Sequence, residues 1–348
     1  MELEALRRLL AHPEEAELPV TDELSPFTVV DVTGARAEPG PDDGGAGRAG
    51  RVVVGLSRTF PAARPPAVTD VALCPGRGTD RPPPGWVAVD DPDAEAVRLS
   101  EACAANPVAA SVLVQLLRAT EALPVVAGVM AESFAYSMLL AGSEFGRWLQ
   151  KRPSLRHRAA AQSVLVESSD GAPPGITITL NRPEVRNAYD AAMRDALVDI
   201  LRGLLTIEPR PEVVLRGAGP VFCSGGDLSE FGTSADAVSA HRVRVARAPG
   251  PLLARLSVTA RVHGQCVGAG VELPAFCSRV LATPDATFLL PEVSMGLVPG
   301  AGGTASVTAR IGRHRTAFLA LSARPVAAPT ALAWGLVDEI EGSGGSAG

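Results

Sequence analysis

Three short segments hold residues whose types and spacing suit acid–base chemistry beside free backbone donors. The first is FCSGGDL, residues 222–228. Gly225 and Gly226 let the backbone take positive φ and leave N–H groups unpaired. With Asp227 near the following helix start, such a turn presents donors to an anion or oxyanion; a plain structural turn reads the same way. The second is VHGQCVGAGVELP, residues 262–274. Gly264, Gly268 and Gly270 keep its turn thin, and a helix is expected from about Ala269, because Pro274 is tolerable only near a first turn. Glu272, three residues after Ala269, shares a face with the exposed N–H groups. It either stands beside whatever they bind or answers the positive end of its own helix. The third is ATFLLPEVSMGLVPGAGGT, residues 286–304, in which Glu292 follows a short apolar strand and a proline. A glycine-rich loop then leads into a helix with Thr304 near its start. No Gly-Lys-Ser/Thr follows, so this is not a Walker loop, and an exposed turn carboxylate is the alternative for Glu292.

The elements that must position these segments alternate. Strands are expected at 164–168 and 176–180, then Asn181-Arg182-Pro183 leads into a helix over 188–205. Strands follow at 213–217, 257–264 and 278–285, and the pattern closes with a helix–turn at PTALAWGLVDEI. Upstream, short apolar runs at 51–57, 70–74 and 86–89 read as strands. Asp91 or Asp93 can cap a helix with Pro92 near its first turn. Residues 108–149 read as helical, interrupted at Pro124 and near Gly142, and this apolar segment is expected to cover a flank of the second half. A loop of Gly, Pro and Asp fills 34–50, and KRPSLRHRAAAQ (151–162) reads as a linker or a surface-helix turn.

Taken in order, five segments resemble the crotonase (enoyl-CoA hydratase/isomerase) superfamily: LNRPEVRNA, FCSGGDL, VHGQCVGAGVELP, LPEVSMGLVPGAGGT and ALAWGLVDEI. The resemblance implies an α/β fold: a crotonase-type β-β-α spiral domain over 163–340, preceded by a smaller α/β domain over 1–150 of unassigned role. It implies an oxyanion hole from the N–H groups of Gly226 and Ala269, with Glu272 and Glu292 as the catalytic acids of a 2-enoyl-CoA hydratase-like lyase. The alternatives are double-bond isomerisation through Glu292 alone, oxidative or decarboxylative chemistry, and a silent subunit that recruits a partner. Ser229 stands where hydratases often have a lysine near the CoA phosphates, so Arg182 or Arg186, beside Gly225, is expected to serve substrate binding. The wall of the acyl pocket is expected from 229–256. Members usually continue into a C-terminal helical region that builds the trimer; here EGSGGSAG follows Ile340. A homo-oligomer, trimeric or a multiple, is nevertheless the expected assembly, with an acyl-CoA thioester as substrate and no cofactor or metal.

Composition narrows the rest. Of 348 residues 46% are hydrophobic and 20% charged, as in globular chains. A net charge of −6 with one lysine, Lys151, gives no basic surface for nucleic acid. Five cysteines without a C-x-x-C, and an amphipathic start (MELEALRRLLAHPEEAEL) lacking an apolar signal core, point to a reducing cytoplasm. The apolar stretch 123–142 contains Glu132 and reads as a core helix, not a membrane span. Phe134, Tyr136 and Trp148, at helical spacing, are expected in the core. Ser224, His263 and Asp227 lack a nucleophile elbow, and no cluster shows metal spacing.

Overall fold

Four short parallel strands come first among the residues that this computed structural model describes, which are 27–35, 50–153, 157–158, 160–169, 175–234 and 236–342. The amphipathic start, most of the 34–50 loop and the turn before residue 175 lie outside the described residues. Strands β1 (Phe27–Asp31), β2 (Val52–Leu56), β3 (Val71–Pro75) and β4 (Val87–Val89) pair in chain order. β2 and most of β3 are buried along their length, so VVVGL and VALC read as continuous apolar runs. β1 is buried only at Phe27 and Val30 and lacks the continuous apolar run of β2 and β3, so it does not stand out in the sequence.

Helix α1 (Pro92–Ala105) starts where its proline predicts, and of the two candidate caps Asp91 serves, accepting from the Ala94 N–H at 3.0 Å. Three helices follow: α2 (Pro107–Thr120), α3 (Val125–Leu140) and α4 (Ser143–Lys151). α3 and α4 are bent by 65° at the expected break, and among the described residues no single helix is long and apolar enough to cross a membrane.

The second half builds two further sheets. β5 (Val164–Ser169) pairs antiparallel with β6 (Gly175–Leu180), which continues in parallel to β7 (Glu212–Gly217), β8 (Val258–Val262), β10 (Arg279–Ala282) and β13 (Glu339–Ile340). The small sheet joins β9 (Gln265–Val267), β11 (Thr287–Leu289) and β12 (Val326–Ala327). Two successive passes thus place one strand in the large sheet and the next in the small one, β8 then β9, β10 then β11. The helices are α5 (Ala191–Leu204), α6 (Ala237–Ala246), α7 (Gly303–Ile311), α8 (Arg313–Ser322) and α9 (Ala328–Trp334), besides one-turn pieces.

The two halves share one hydrophobic core. Val52, Leu73, Leu113 and Leu117 belong to the same cluster as Val258, Val280 and Leu319. Arg313 of α8 donates to the Thr69 and Ala67 carbonyls and pairs with Glu121 at 2.9 Å. α3 packs against both α6 and α7. Residues 160–348 expressed alone are therefore expected to aggregate or to lack activity, since removing the first half exposes core side chains to water at roughly 25 cal/mol per Å². A soluble fragment with one cooperative melting transition and undiminished turnover would overturn this.

Candidate active site

Pairing between distant segments brings the two glycine turns together. The N–H of Val267, at the end of β9, donates to the Cys223 carbonyl at 2.9 Å, and Cys223 and Cys266 form a parallel bridge. A Cβ on Gly270 would lie 2.5 Å from the Cys223 oxygen, so this approach requires glycine. On the other side, the Tyr189 N–H donates to Gly225 O (2.8 Å) and the Asp227 N–H donates to Tyr189 O (2.9 Å). In such parallel pairing the intervening residue turns its own N–H the opposite way, which directs Gly226 away from Tyr189. The glycines divide the work: Gly225 holds φ at +92°, whereas at Gly226 a Cβ would meet the Phe231 ring at 2.8 Å. Ala269 opens a one-turn helix, Ala269–Glu272, after Gly268 at φ +48°. The Gly268 N–H bonds Leu289 O, and the Val271 and Glu272 N–H groups turn back to Gly268 O. Among the described residues neither the Gly226 nor the Ala269 N–H donates a hydrogen bond.

Three buried carboxylates meet beside these donors. Glu272 is 2% exposed, and its Oε2 accepts from the N–H groups of Ala301 (2.7 Å) and Gly303 (2.8 Å). Burial pushes its pKa up to about 7, the two N–H groups and Arg244 holding it back. Glu292 is 9% exposed, and its Oε2 is shut from solvent without a partner. Burial, then the charges of Glu272 and Glu132, push its pKa well above the ordinary carboxylate value. Gly268 makes room for it, since a Cβ there would lie 2.5 Å from Glu292 Oε1. The third is Glu132 of α3, 1% exposed, whose pKa is raised to about 8 by burial and then by Glu272. The sequence shows Glu132 as a lone charge in an apolar helix; a buried carboxylate must find donors or a proton, and that was the available signal.

These groups line a cleft of about 390 Å³, with Val129, Tyr136, Gly226, Phe231 and Ala269. As expected, residues between 229 and 256 form much of its wall, including Ser239, Val243 and Arg244. The first half contributes as well. Phe145 and Trp148 of α4 pack their rings against Phe231 at 6.4 and 5.8 Å, and Arg152 donates to the Leu228 and Phe231 carbonyls. Tyr136 is buried as expected, but Phe134 is 58% exposed, stacked on His241. The Arg244 guanidinium lies 3.8 Å from the centre of the Tyr136 ring, and its Nη1 is shut from solvent without a hydrogen-bond partner.

The arginines expected beside the substrate part ways. Arg182 does not face the cleft: fully buried, it pairs with Asp190 (3.2 Å) and Asp227 (2.9 Å) and donates to the Ala188 and Arg158 carbonyls, tying β6 to the first glycine turn. Moving that guanidinium to a phosphate would take the cation from two carboxylates, one of them buried. Arg186 is exposed in left-handed backbone, its carbonyl accepting from the Ser224 N–H at 3.0 Å. Ser224, His263 and Asp227 are separately engaged, with Val185 O, Gly219 O and Arg182, so they form no triad. All five cysteines are free and buried, and burial pushes the Cys223 thiol up to about 12. His157, Asp190 and Glu230 do gather within 4.8 Å, a grouping not visible in the sequence. Asp190, however, caps α5 through Met193 N–H and pairs with Arg182.

With this geometry in place, comparison with known proteins is direct. The family described as enoyl-CoA hydratase/isomerase matches residues 175–343. A probable enoyl-CoA hydratase of Rhodobacter capsulatus is 38% identical over 185 residues, which cover 51% of this chain and 68% of that protein. A mevalonyl-coenzyme A hydratase of Beauveria bassiana is 36% identical over 185 residues, 50% of this chain and 66% of the relative. Four curated relatives are matched over 62–66% of their own length. Among solved structures, the enoyl-CoA hydratase of Bacillus anthracis aligns with a TM-score of 0.48 at 29% identity, covering 52% of this chain and 70% of that one. All these matches leave about half of this chain, chiefly the first half, without a counterpart.

Proposed function

The chain belongs to the enoyl-CoA hydratase/isomerase family, and from that premise we propose that it adds water to a 2-enoyl-CoA thioester, or removes it in reverse. The observation that carries this reading is the unequal environment of two carboxylates beside two undonated N–H groups. Glu272, held by two N–H donors, is the easier to ionise; Glu292, without a partner at Oε2, keeps its proton. Environments that push two acids apart assign their roles. Glu272 takes a proton from water as the oxygen attacks the β-carbon, and Glu292 delivers a proton to the α-carbon. Enolate charge on the thioester oxygen is held by the Gly226 and Ala269 N–H groups. Gly225 supplies the backbone bend that aims the first donor, and Arg186, exposed beside the first glycine turn, is the candidate for the CoA phosphates. The exposed side chains Val126, Met130, Phe134 and Met138, spaced by four along α3, support the self-association that the family resemblance implies.

Arg244 favours an acyl group that carries a hydrogen-bond acceptor, a carboxylate above all, because its buried Nη1 has no protein partner. Incubation with crotonyl-CoA and with 2-enoyl-CoA thioesters bearing a terminal carboxylate, in deuterated water with mass spectrometry, tests both statements. Net addition of D₂O, faster for the carboxylated thioesters, is expected. Exchange without addition would make the enzyme an isomerase, and no reaction of either kind would make it a silent subunit.

A further inference from the structure

The loop that leads into α7 offers four successive N–H groups, and they alternate between two carboxylates. Ala301 and Gly303 donate to Glu272 Oε2, at 2.7 and 2.8 Å. Gly302 donates to Glu132 Oε1 at 2.7 Å, and Thr304 donates to Glu132 Oε2 through both its N–H (2.8 Å) and its hydroxyl (2.7 Å). Glu132 reaches this loop from α3, some 170 residues earlier in the chain and outside the stretch that matches the family.

The alternation has a mechanical consequence. Gly302 sits at φ +104°, a conformation glycine visits freely and leaves as freely. Nothing in the loop's own sequence holds its odd N–H groups toward Glu272; the even ones must be held from the other side. Three hydrogen bonds to one buried carboxylate do this. Both bonds to Glu272 fall on Oε2, which leaves Oε1 for a reacting water. We propose that Glu132 is a positioning residue for Glu272: by fixing the Gly302 and Thr304 N–H groups it aims those of Ala301 and Gly303, and so sets the orientation and basicity of the carboxylate that activates water. This rests on the reading of Glu272 as general base, and it makes the first half of the chain part of the catalytic apparatus.

Glu132 faces Glu272 and Glu292 across the cleft and Thr304 on α7, and Arg244 of α6 and Tyr136 of its own helix line the same cleft. Replacing its carboxylate acts on both neighbours. Glu292 loses a like-charged neighbour, so its pKa falls; at Glu272 the loss of well-aimed donors and the loss of the same like charge oppose each other. The basic limb of the pH profile therefore moves to lower pH.

The test is Glu132→Gln in the full chain, alone and combined with Glu272→Gln, assayed on the best thioester from the panel above. Alone, kcat is expected to fall about 10–100-fold with KM nearly unchanged, the scale of a small misplacement of a reacting group, and the basic limb of the pH profile moves to lower pH. In the Glu272→Gln background the same change is expected to cost almost nothing, because two residues acting through one group are not additive. An equal loss in both backgrounds, or a lowered melting temperature with kcat and pH limbs unchanged, would overturn the proposal. Full activity in Glu272→Gln alone would instead remove the hydration mechanism itself. Should Glu132→Gln not fold, Thr304→Val removes only the hydroxyl bond and serves in the same cycle, with an expected loss of about threefold; its absence would equally overturn the assignment.

Discussion

Glu272→Gln and Glu292→Gln are each expected to lower turnover by about two to four orders of magnitude, the range for positioned general acids and bases. Folding is expected to survive both changes, for different reasons. At Glu272 both backbone donors bond one oxygen, so the amide can set its own oxygen there and turn its nitrogen to the cleft. At Glu292 the Oε2 position has no partner to lose, and the neutral amide lifts the burden of a charge in a site already holding two acids. Turnover and thermal melting measured side by side separate the two effects. Undiminished turnover in either variant would sink the two-carboxylate mechanism, whereas loss confined to Glu292→Gln would favour isomerisation through that residue.

Gly226→Pro is expected to cost about 10²–10³ in turnover by removing one donor of the oxyanion site. Its N–H is directed away from Tyr189 by the bonds that Gly225 O and Asp227 N–H make on either side, and it donates to no described protein group. The control is Gly226→Ala, which keeps the donor. Alanine carries a cost in stability, because the added Cβ lies 2.8 Å from Cε2 of Phe231. That ring packs against the stacked pair Phe145 and Trp148, which limits its retreat on that side. The informative quantity is the ratio of the two variants' kcat under conditions where both are folded. A proline variant as active as the alanine one would show that the donor lies elsewhere.

Much of the site was legible in the sequence because its logic is local. Glycine and proline fix backbone geometry within a few residues, so the turn at Gly268, the helix start at Ala269 and the position of Glu272 on that helix follow from VGAGVELP without knowledge of the fold. The Asp91 cap and the breaks at Pro124 and Gly142 follow in the same way. The order of five segments added the family and with it the pairing of Glu272 with Glu292. Arg182 shows where such reading fails: an arginine in a turn before a proline is as ready to bind phosphate as to be buried, and only the positions of Asp190 and Asp227 decide.

What tertiary structure alone decided is which partners each buried group meets. Burial and hydrogen bonding depend on chain segments far apart in sequence, and no local pattern encodes them. Thus Glu132, visible only as one charge in an apolar helix, becomes the holder of the Gly302–Thr304 loop when α3 packs on α7. Phe231, an unremarked loop aromatic, becomes the reason Gly226 has no side chain. The sequence determined that two acids and two glycine turns exist at usable spacing; packing of the two halves decided that the Ala301 and Gly303 N–H groups hold Glu272 and that Glu292 Oε2 is buried without such a donor.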